Sequence, residues 1–192
     1  FEVWRTHESS FEDAVRSEAV EFGEVLWAAW SRFRTAQRQS SFDLLPPTPR
    51  ELHPGPPVRM VAAVVEACKQ AGIPESNVEA TAKEFLTSEA IAEVPLVKIM
   101  ATLYAALARK AAAGQRGPGS KGLALDIVFL SSFLPHCDAM FLDNEMVALL
   151  SENPVPRLLG YEASLFCVKR IDDFMAYLDE IESSQTVEHK EA

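Results

Sequence analysis

Two short apolar runs in the last third of the chain most constrain how it can fold. Residues 139–142 (AMFL) and 163–168 (ASLFCV) are each bounded by turn-forming residues, which is the pattern of a buried β-strand. Residues 144–150 lie between them and have the spacing of a short helix. A strand, a helix and a second strand in this order favour a parallel pair. We therefore predict a small parallel sheet in this region.

The rest of the chain has the periodicity of α-helices. Apolar residues recur every three or four positions, and glycines, prolines or polar caps mark the ends of each segment. The predicted helices span residues 9–38, 58–71, 76–86, 95–113, 126–134 and about 173–182. The expected fold class is mostly α with a small parallel β-sheet, in which a helical region precedes an α/β core.

The first helix has an apolar stripe that we expect to pack in the core. The stripe consists of Phe11, Val15, Phe22, Leu26, Trp30 and Phe33. An alternative is a partner-binding helix that uses Trp4, Trp27 and Trp30 as anchors.

A proline-rich segment divides the chain. Residues 40–57 contain six prolines, which exclude a continuous helix or a central strand. Such a segment is typical of a semi-rigid connector. The predicted division is residues 1–57, the long helix with its linker, and residues 58–192, the helical region with the α/β part.

The predicted sheet is too small to be stable by itself, because two parallel strands leave most of their surface uncovered. The chain begins with Phe1 rather than Met, so we expect that further residues precede it. Those residues, or a second copy in a homo-oligomer, would complete the sheet. Otherwise the pair packs wholly on helices.

Charge and cysteine usage limit the partners and the compartment. The net charge of −10 argues against generic binding to nucleic acids or anionic membranes, and no apolar run is long enough to span a bilayer. Cys68, Cys137 and Cys167 lack the spacing of a metal or redox motif. Three thiols among apolar neighbours predict buried cysteines in a reducing cytoplasm.

Two carboxylates mark the ends of predicted elements. Asp126 lies near the start of the helix before the first strand, where the helix dipole favours an anion. Asp143 follows that strand directly, and functional crevices of open α/β sheets lie beyond the carboxyl ends of the strands. The two could share a divalent cation if their carboxylates lie within about 4–6 Å of each other. They could also be ordinary helix-end carboxylates, with Asn144 as the N-cap of the next helix.

A local basic block precedes Asp126. The ionisable residues of 94–125 are Lys98, Arg109, Lys110, Arg116 and Lys121, without an acid among them. We expect Arg116 and Lys121 to hold phosphates beside the carboxylates, or to be solvated cations that complement a helix C-terminus. For Lys98 the second interpretation is favoured.

The chain resembles the C-terminal part of PIN-like nucleases in this region. The resemblance rests on LPHCDAMFLDN at 134–144, on EVPLVKI and LALDI upstream, and on ASLFCV followed by IDDFMAYLDEI downstream. It covers roughly residues 84–182.

The resemblance implies an α/β/α sheet whose acidic residues bind Mg²⁺ or Mn²⁺ and hydrolyse RNA phosphodiesters. By position, Asp126 matches the acid that opens the late helix and Asp143 matches the acid after the fourth strand. Asp138 matches the acid before that strand, which in the family more often supports the ligands than binds the metal itself, and Glu145 is a candidate auxiliary acid. These four residues are the implied metal ligands, and Asp126 and Asp143 are also the implied catalytic residues.

The chain departs from the family in its N-terminal half. The family has an essential Asp at the end of its first strand and a Glu on the following helix, but no strand-like segment ending in Asp precedes residue 40. We therefore expect an incomplete or inactive site in this chain alone. The alternative is a non-catalytic helical interaction or regulatory protein.

Overall fold

The computed structural model describes residues 8–40, 54–114 and 122–184. Within these ranges the chain is mostly helical and contains one small sheet of two parallel strands, as predicted. Most of the proline-rich segment, residues 41–53, lies outside the described residues.

The chain divides into two units, Phe1–Ala113 and Gly114–Ala192. The boundary between the two units therefore lies after Ala113, whereas a boundary after residue 57 was predicted from the sequence. The physical reason is that the first helix packs on the helices that come after the proline-rich segment.

The described part of the first unit contains four α-helices and a short 3₁₀ helix. They are α1 (Glu8–Ser40), α2 (Pro56–Gln70), α3 (Glu75–Leu86), the 3₁₀ helix Glu89–Glu93 and α4 (Pro95–Ala112). A proline in the first turn opens both α2 and α4, where its missing N–H and fixed φ cost the helix nothing. α1 packs against all the others, so it is the central element of this unit.

The buried face of α1 confirms the prediction of a core helix. Phe11, Val15, Ala19, Leu26 and Trp30 are buried, at the three- and four-residue spacing of one helix face. Phe22 and Phe33 of the predicted stripe are only half-buried. Trp30 therefore packs within its own unit, while Trp4 lies outside the described residues.

Arg34 links α1 to α3 beside this face. Its guanidinium carbon lies 5.7 Å from the centroid of the Trp30 ring, and its Nε lies 3.2 Å from Oε1 of Glu79. At this distance the two side chains form an ion pair, but the geometry does not make a hydrogen bond, and Nε has no hydrogen-bond partner among the described residues. The contact is a half-exposed charge pair, which contributes little to stability.

Gly23 allows α1 to touch the chain at the end of α3. A Cβ built on Gly23 would overlap the carbonyl oxygen of Leu86 and lie 2.8 Å from both the Leu86 carbonyl carbon and Ile91 Cδ1. Real Cβ atoms do not approach other atoms so closely. The helix therefore needs a residue without a side chain at this position.

The described part of the second unit alternates short helices with the two strands. It contains α5 (Leu123–Phe133), a 3₁₀ turn (Leu134–His136), β1 (Ala139–Phe141), α6 (Asn144–Ser151), α7 (Val155–Leu159), β2 (Ser164–Phe166), a 3₁₀ turn (Val168–Arg170) and α8 (Ile171–Ser184). α7 was not predicted, because prolines at 154 and 156 favour a break; one of them occupies its first turn instead.

β1 and β2 pair in parallel, as predicted. The register aligns Ala139 with Ser164, Met140 with Leu165 and Phe141 with Phe166. Both strands are shorter than the apolar runs that predicted them. Hydrogen bonds continue the ladder at both ends, from the Ser164 N–H to the Asp138 carbonyl (2.8 Å) and from the Leu142 N–H to the Phe166 carbonyl (2.8 Å).

The sheet of the second unit is covered by aromatic rings from α8. The rings of Phe174 and Tyr177 each lie 5.2 Å from the Phe166 ring, and Phe174 also meets Phe141 edge-on at 5.3 Å. Phe166 is buried, but α8 itself contributes no buried residue. Of the eleven large apolar side chains exposed in the described residues, ten belong to this unit. The second unit therefore leaves much of its apolar surface in contact with solvent.

The cysteines follow the prediction only in part. Cys167 is buried, whereas Cys68 and Cys137 are half-buried, and all three are free thiols. The apolar neighbours in sequence predicted that all three thiols would be buried, but Cys68 in α2 and Cys137 before β1 are partly exposed.

Candidate functional site at the carboxyl end of the parallel strands

Asp143 lies where the sequence places it, just beyond the carboxyl end of β1. It is exposed and has the extended backbone of a helix N-cap, with φ −70° and ψ 163°. Its Oδ1 accepts a hydrogen bond from the Met146 N–H at 2.6 Å. The N-cap of α6 is therefore Asp143, and the prediction of Asn144 is wrong by one residue. The cap engages one carboxylate oxygen, while a carboxylate has acceptor capacity for further partners.

Asn144 has a different role, which its sequence context did not indicate. Its side-chain oxygen accepts a hydrogen bond from the Lys169 N–H at 3.4 Å. This contact joins the residue that opens α6 to the turn that follows β2, so the exits of both strands are connected. The carboxyl end of the pair thus presents Asp143, Asn144 and Lys169 together.

Asp126 lies in the first turn of α5 and is exposed. Its N–H donates to the Gly122 carbonyl at 2.9 Å, as the first intrahelical bond of α5. The positive end of the helix dipole favours the carboxylate there. Asp126 and Asp143 therefore share a local setting, since each is an exposed acid at the N-terminus of a helix in the second unit.

The other two predicted acids fall on different sides of β1. Glu145 is exposed in the first turn of α6, two residues after Asp143. Asp138 precedes β1, and four residues, among them the three of the strand, separate it from Asp143. The two aspartates therefore lie at opposite ends of β1.

The predicted phosphate ligands Arg116 and Lys121 lie outside the described residues. Arg109, from the same basic block, is half-buried, and its guanidinium carbon stands 5.7 Å from the centroid of the Phe11 ring. Arg109 thus stabilises the packing of α4 on α1 through a cation–π contact. Lys98 is half-buried near the N-terminus of α4, so it is not the solvated cation at a helix C-terminus that we expected.

Among residues 8–40, 54–114 and 122–184, no group of three or more His, Cys, Asp or Glu side chains is arranged to hold a metal ion. The acids that the fold places at the carboxyl end of β1 are Asp143 and Glu145. Mg²⁺ commonly takes only one or two protein carboxylates, together with water and substrate phosphate. Two exposed carboxylates at one strand end fit that donor chemistry.

A groove of about 610 Å³ lies elsewhere, in the first unit. It is lined mainly by acids, Asp13, Glu21, Glu24 and Glu89, with Arg16 among them. The hydrogen bond from Arg16 to Asp13 raises the pKa of the guanidinium. None of the predicted site residues that the structure describes lines this groove, and its charge is that of a solvated helix face.

Comparisons with protein-family models, with curated proteins and with solved structures found no match to this chain. In the part of the chain that the structure describes, no helix is both long and apolar enough to cross a membrane.

Proposed function

We propose that this chain is part of a metal-dependent ribonuclease of the PIN-like kind, with Asp126 and Asp143 as the acids that bind Mg²⁺ or Mn²⁺. The observation that supports this most strongly is the position of Asp143. It is an exposed carboxylate directly beyond a strand of a parallel pair, which is where α/β enzymes place functional groups. RNA is the proposed substrate and the cytoplasm the proposed compartment.

The chain's own residues would contribute position and charge. The capping bond to Met146 holds Asp143 at the end of β1, and the bond between Asn144 and Lys169 holds that end against the exit of β2. Asp126 would approach from the N-terminus of α5, and Glu145 would add charge beside Asp143. Arg116 and Lys121 would hold the phosphate. A bound Mg²⁺ or Mn²⁺ would supply an activated water and offset the negative charge on phosphorus.

Metal binding to the native chain tests this proposal with a readout other than activity. An ion that binds only the folded state raises the unfolding midpoint. We expect about 10 mM MnCl₂ to raise the midpoint seen by circular dichroism in the wild type. Asp143→Asn should abolish this rise, because Asn preserves the helix cap but removes the charge. Asp126→Asn should abolish it as well.

Asp138→Asn is the matched control, since it changes an exposed aspartate at the opposite end of β1. This variant should respond to Mn²⁺ like the wild type. A wild-type midpoint that Mn²⁺ leaves unchanged, or an equal rise in Asp143→Asn, would contradict the proposed site. Mn²⁺-dependent cleavage of a fluorescent single-stranded RNA, lost in the same two variants, is the second readout.

A non-catalytic interaction protein is the second candidate, and a separate observation favours it. Ten large apolar side chains of the described second unit are exposed, which is typical of surfaces that bind another molecule. This candidate predicts no response to Mn²⁺ and no cleavage, so the same measurements distinguish the two.

A further inference from the structure

The outer face of α8 has apolar side chains that the sheet does not cover. Phe174 and Tyr177 point their rings at Phe166 of β2. Ile171, Met175 and Leu178 follow one another at four- and three-residue spacing, so they form a strip beside those rings. They are 45%, 52% and 39% exposed. We call these three residues the α8 strip.

Acidic residues border the α8 strip. The helix carries five carboxylates and no basic residue. Asp172 stands three residues before Met175, Asp179 four residues after it, and Glu182 four residues after Leu178. Residues three or four apart are surface neighbours on a helix. The strip is therefore apolar in the middle and negatively charged along its border.

An apolar strip with an acidic border favours one kind of partner over the others that could cover it. A second copy of the chain would bring another acidic α8 against the first, in a protein whose net charge is already −10. Like charges brought together at an interface are unfavourable, whereas opposite charges favour association. An anionic membrane surface would be repelled for the same reason. A basic amphipathic segment satisfies both properties, because its apolar residues cover the strip and its cations meet the acids.

We propose that the α8 strip is a docking face for a partner protein, which binds it through a basic amphipathic helix. Leucine-like side chains of that helix cover Ile171, Met175 and Leu178, and its Lys or Arg residues pair with Asp172, Asp179 and Glu182. The proposal does not depend on a metal at Asp143.

A designed peptide tests the docking face directly. The probe is a helical peptide of the same length as α8, 14 residues, with leucines on one face and lysines on either side. A second peptide replaces every lysine with glutamate, and a third scrambles the basic sequence so that it has no apolar face. Binding to the full chain is measured by fluorescence anisotropy. The basic amphipathic peptide should bind, and the other two should bind at least about tenfold more weakly.

Substitutions locate the binding. Met175→Gln and Leu178→Gln should each weaken it about tenfold, because each removes an apolar contact. Asp179→Asn should weaken it less and should reduce its dependence on salt. Val25→Gln is the matched control, since Val25 is 56% exposed on α1, and it should bind like the wild type. Circular dichroism melts of the variants verify that α8 remains folded.

Several results would overturn the proposal. Equal binding by wild type and Met175→Gln would place the peptide elsewhere on an acidic protein. If sedimentation shows that the wild type is a dimer and that Met175→Gln is a monomer, the α8 strip binds a second copy of the chain instead. If the wild type associates with phosphatidylcholine vesicles and Met175→Gln does not, the α8 strip binds a lipid surface instead. If the peptide binds only after residues 185–192 are deleted, the chain's own C-terminal segment covers the α8 strip instead.

Discussion

Gly23→Ala is the most direct test of how the first unit is packed. The substitution adds one methyl group to the buried face of α1, where the helix meets the end of α3. That methyl would overlap the Leu86 carbonyl oxygen and would lie 2.8 Å from Ile91 Cδ1. Leu86 and Ile91 are 2% and 1% exposed, so neither can move toward solvent easily. The closest obstacle is backbone, and it cannot rotate away as a flexible side chain would.

Two effects of opposite sign determine the change in stability. Alanine favours a helix over glycine by about 1 kcal/mol. Overpacking a well-packed core costs about 1–3 kcal/mol or more, and a backbone clash belongs at the upper end of that range. The expected net loss is therefore about 2 kcal/mol in the free energy of unfolding. For a unit of about 100 residues this lowers the melting temperature by about 8–16 °C.

Tryptophan fluorescence can measure this loss in the first unit alone. All three tryptophans, Trp4, Trp27 and Trp30, belong to that unit. Urea titration followed at their emission should show a lower midpoint for Gly23→Ala. Ser31→Ala is the matched control, because Ser31 is exposed in the same helix and should gain a few tenths of a kcal/mol, roughly, from helix propensity. A Gly23→Ala protein as stable as Ser31→Ala would refute the close approach of α1 to Leu86.

Three further predictions follow from single contacts. Phe166→Ala should cost about 3–5 kcal/mol and abolish the amide dispersion of the second unit in NMR spectra, because Phe166 is the buried ring on which Phe174 and Tyr177 pack. Asp143→Ala should lower the hydrogen-exchange protection of the Met146 amide by about 1 kcal/mol through loss of the cap, while Asp143→Asn should preserve it. Arg34→Gln should change the free energy of unfolding, measured by urea titration, by less than about 1 kcal/mol, since Arg34 and Glu79 are both half-exposed.

Periodicity predicted the elements well but not the closest contacts between them. The spacing of Phe11, Val15, Leu26 and Trp30 identified the buried face of α1 because large apolar residues dominate that signal. Gly23 lies on the same face and contributes nothing to an apolar pattern. Its importance depends on Leu86, which is 63 positions later in the chain. A contact of this kind is created by the crossing of two helices, so the local sequence of either helix cannot predict it.

The strand pair also shows that local sequence patterns predict elements but not the contacts between distant residues at the candidate site. Turn signals around the two apolar runs predicted a parallel pair with Asp143 at its carboxyl end, and the structure confirms both the pairing and the position of Asp143. The hydrogen bond between Asn144 and Lys169 connects residues 25 positions apart, and it depends on the register of the two strands. The position of Asp138 before β1 and of Asp143 after it, in contrast, was predicted from the sequence and is confirmed.

Asp143 illustrates why position and role must be tested separately. An aspartate at a helix N-cap is favoured in any protein, because one oxygen satisfies a backbone N–H of the first turn. A metal ligand at the same place requires the negative charge as well. Asparagine provides the oxygen without the charge, and alanine provides neither. If Asp143→Asn retains protection at Met146 but loses the response to Mn²⁺, the charge has a function beyond capping. If Asp143→Asn changes neither, the capping oxygen alone accounts for the role of this residue.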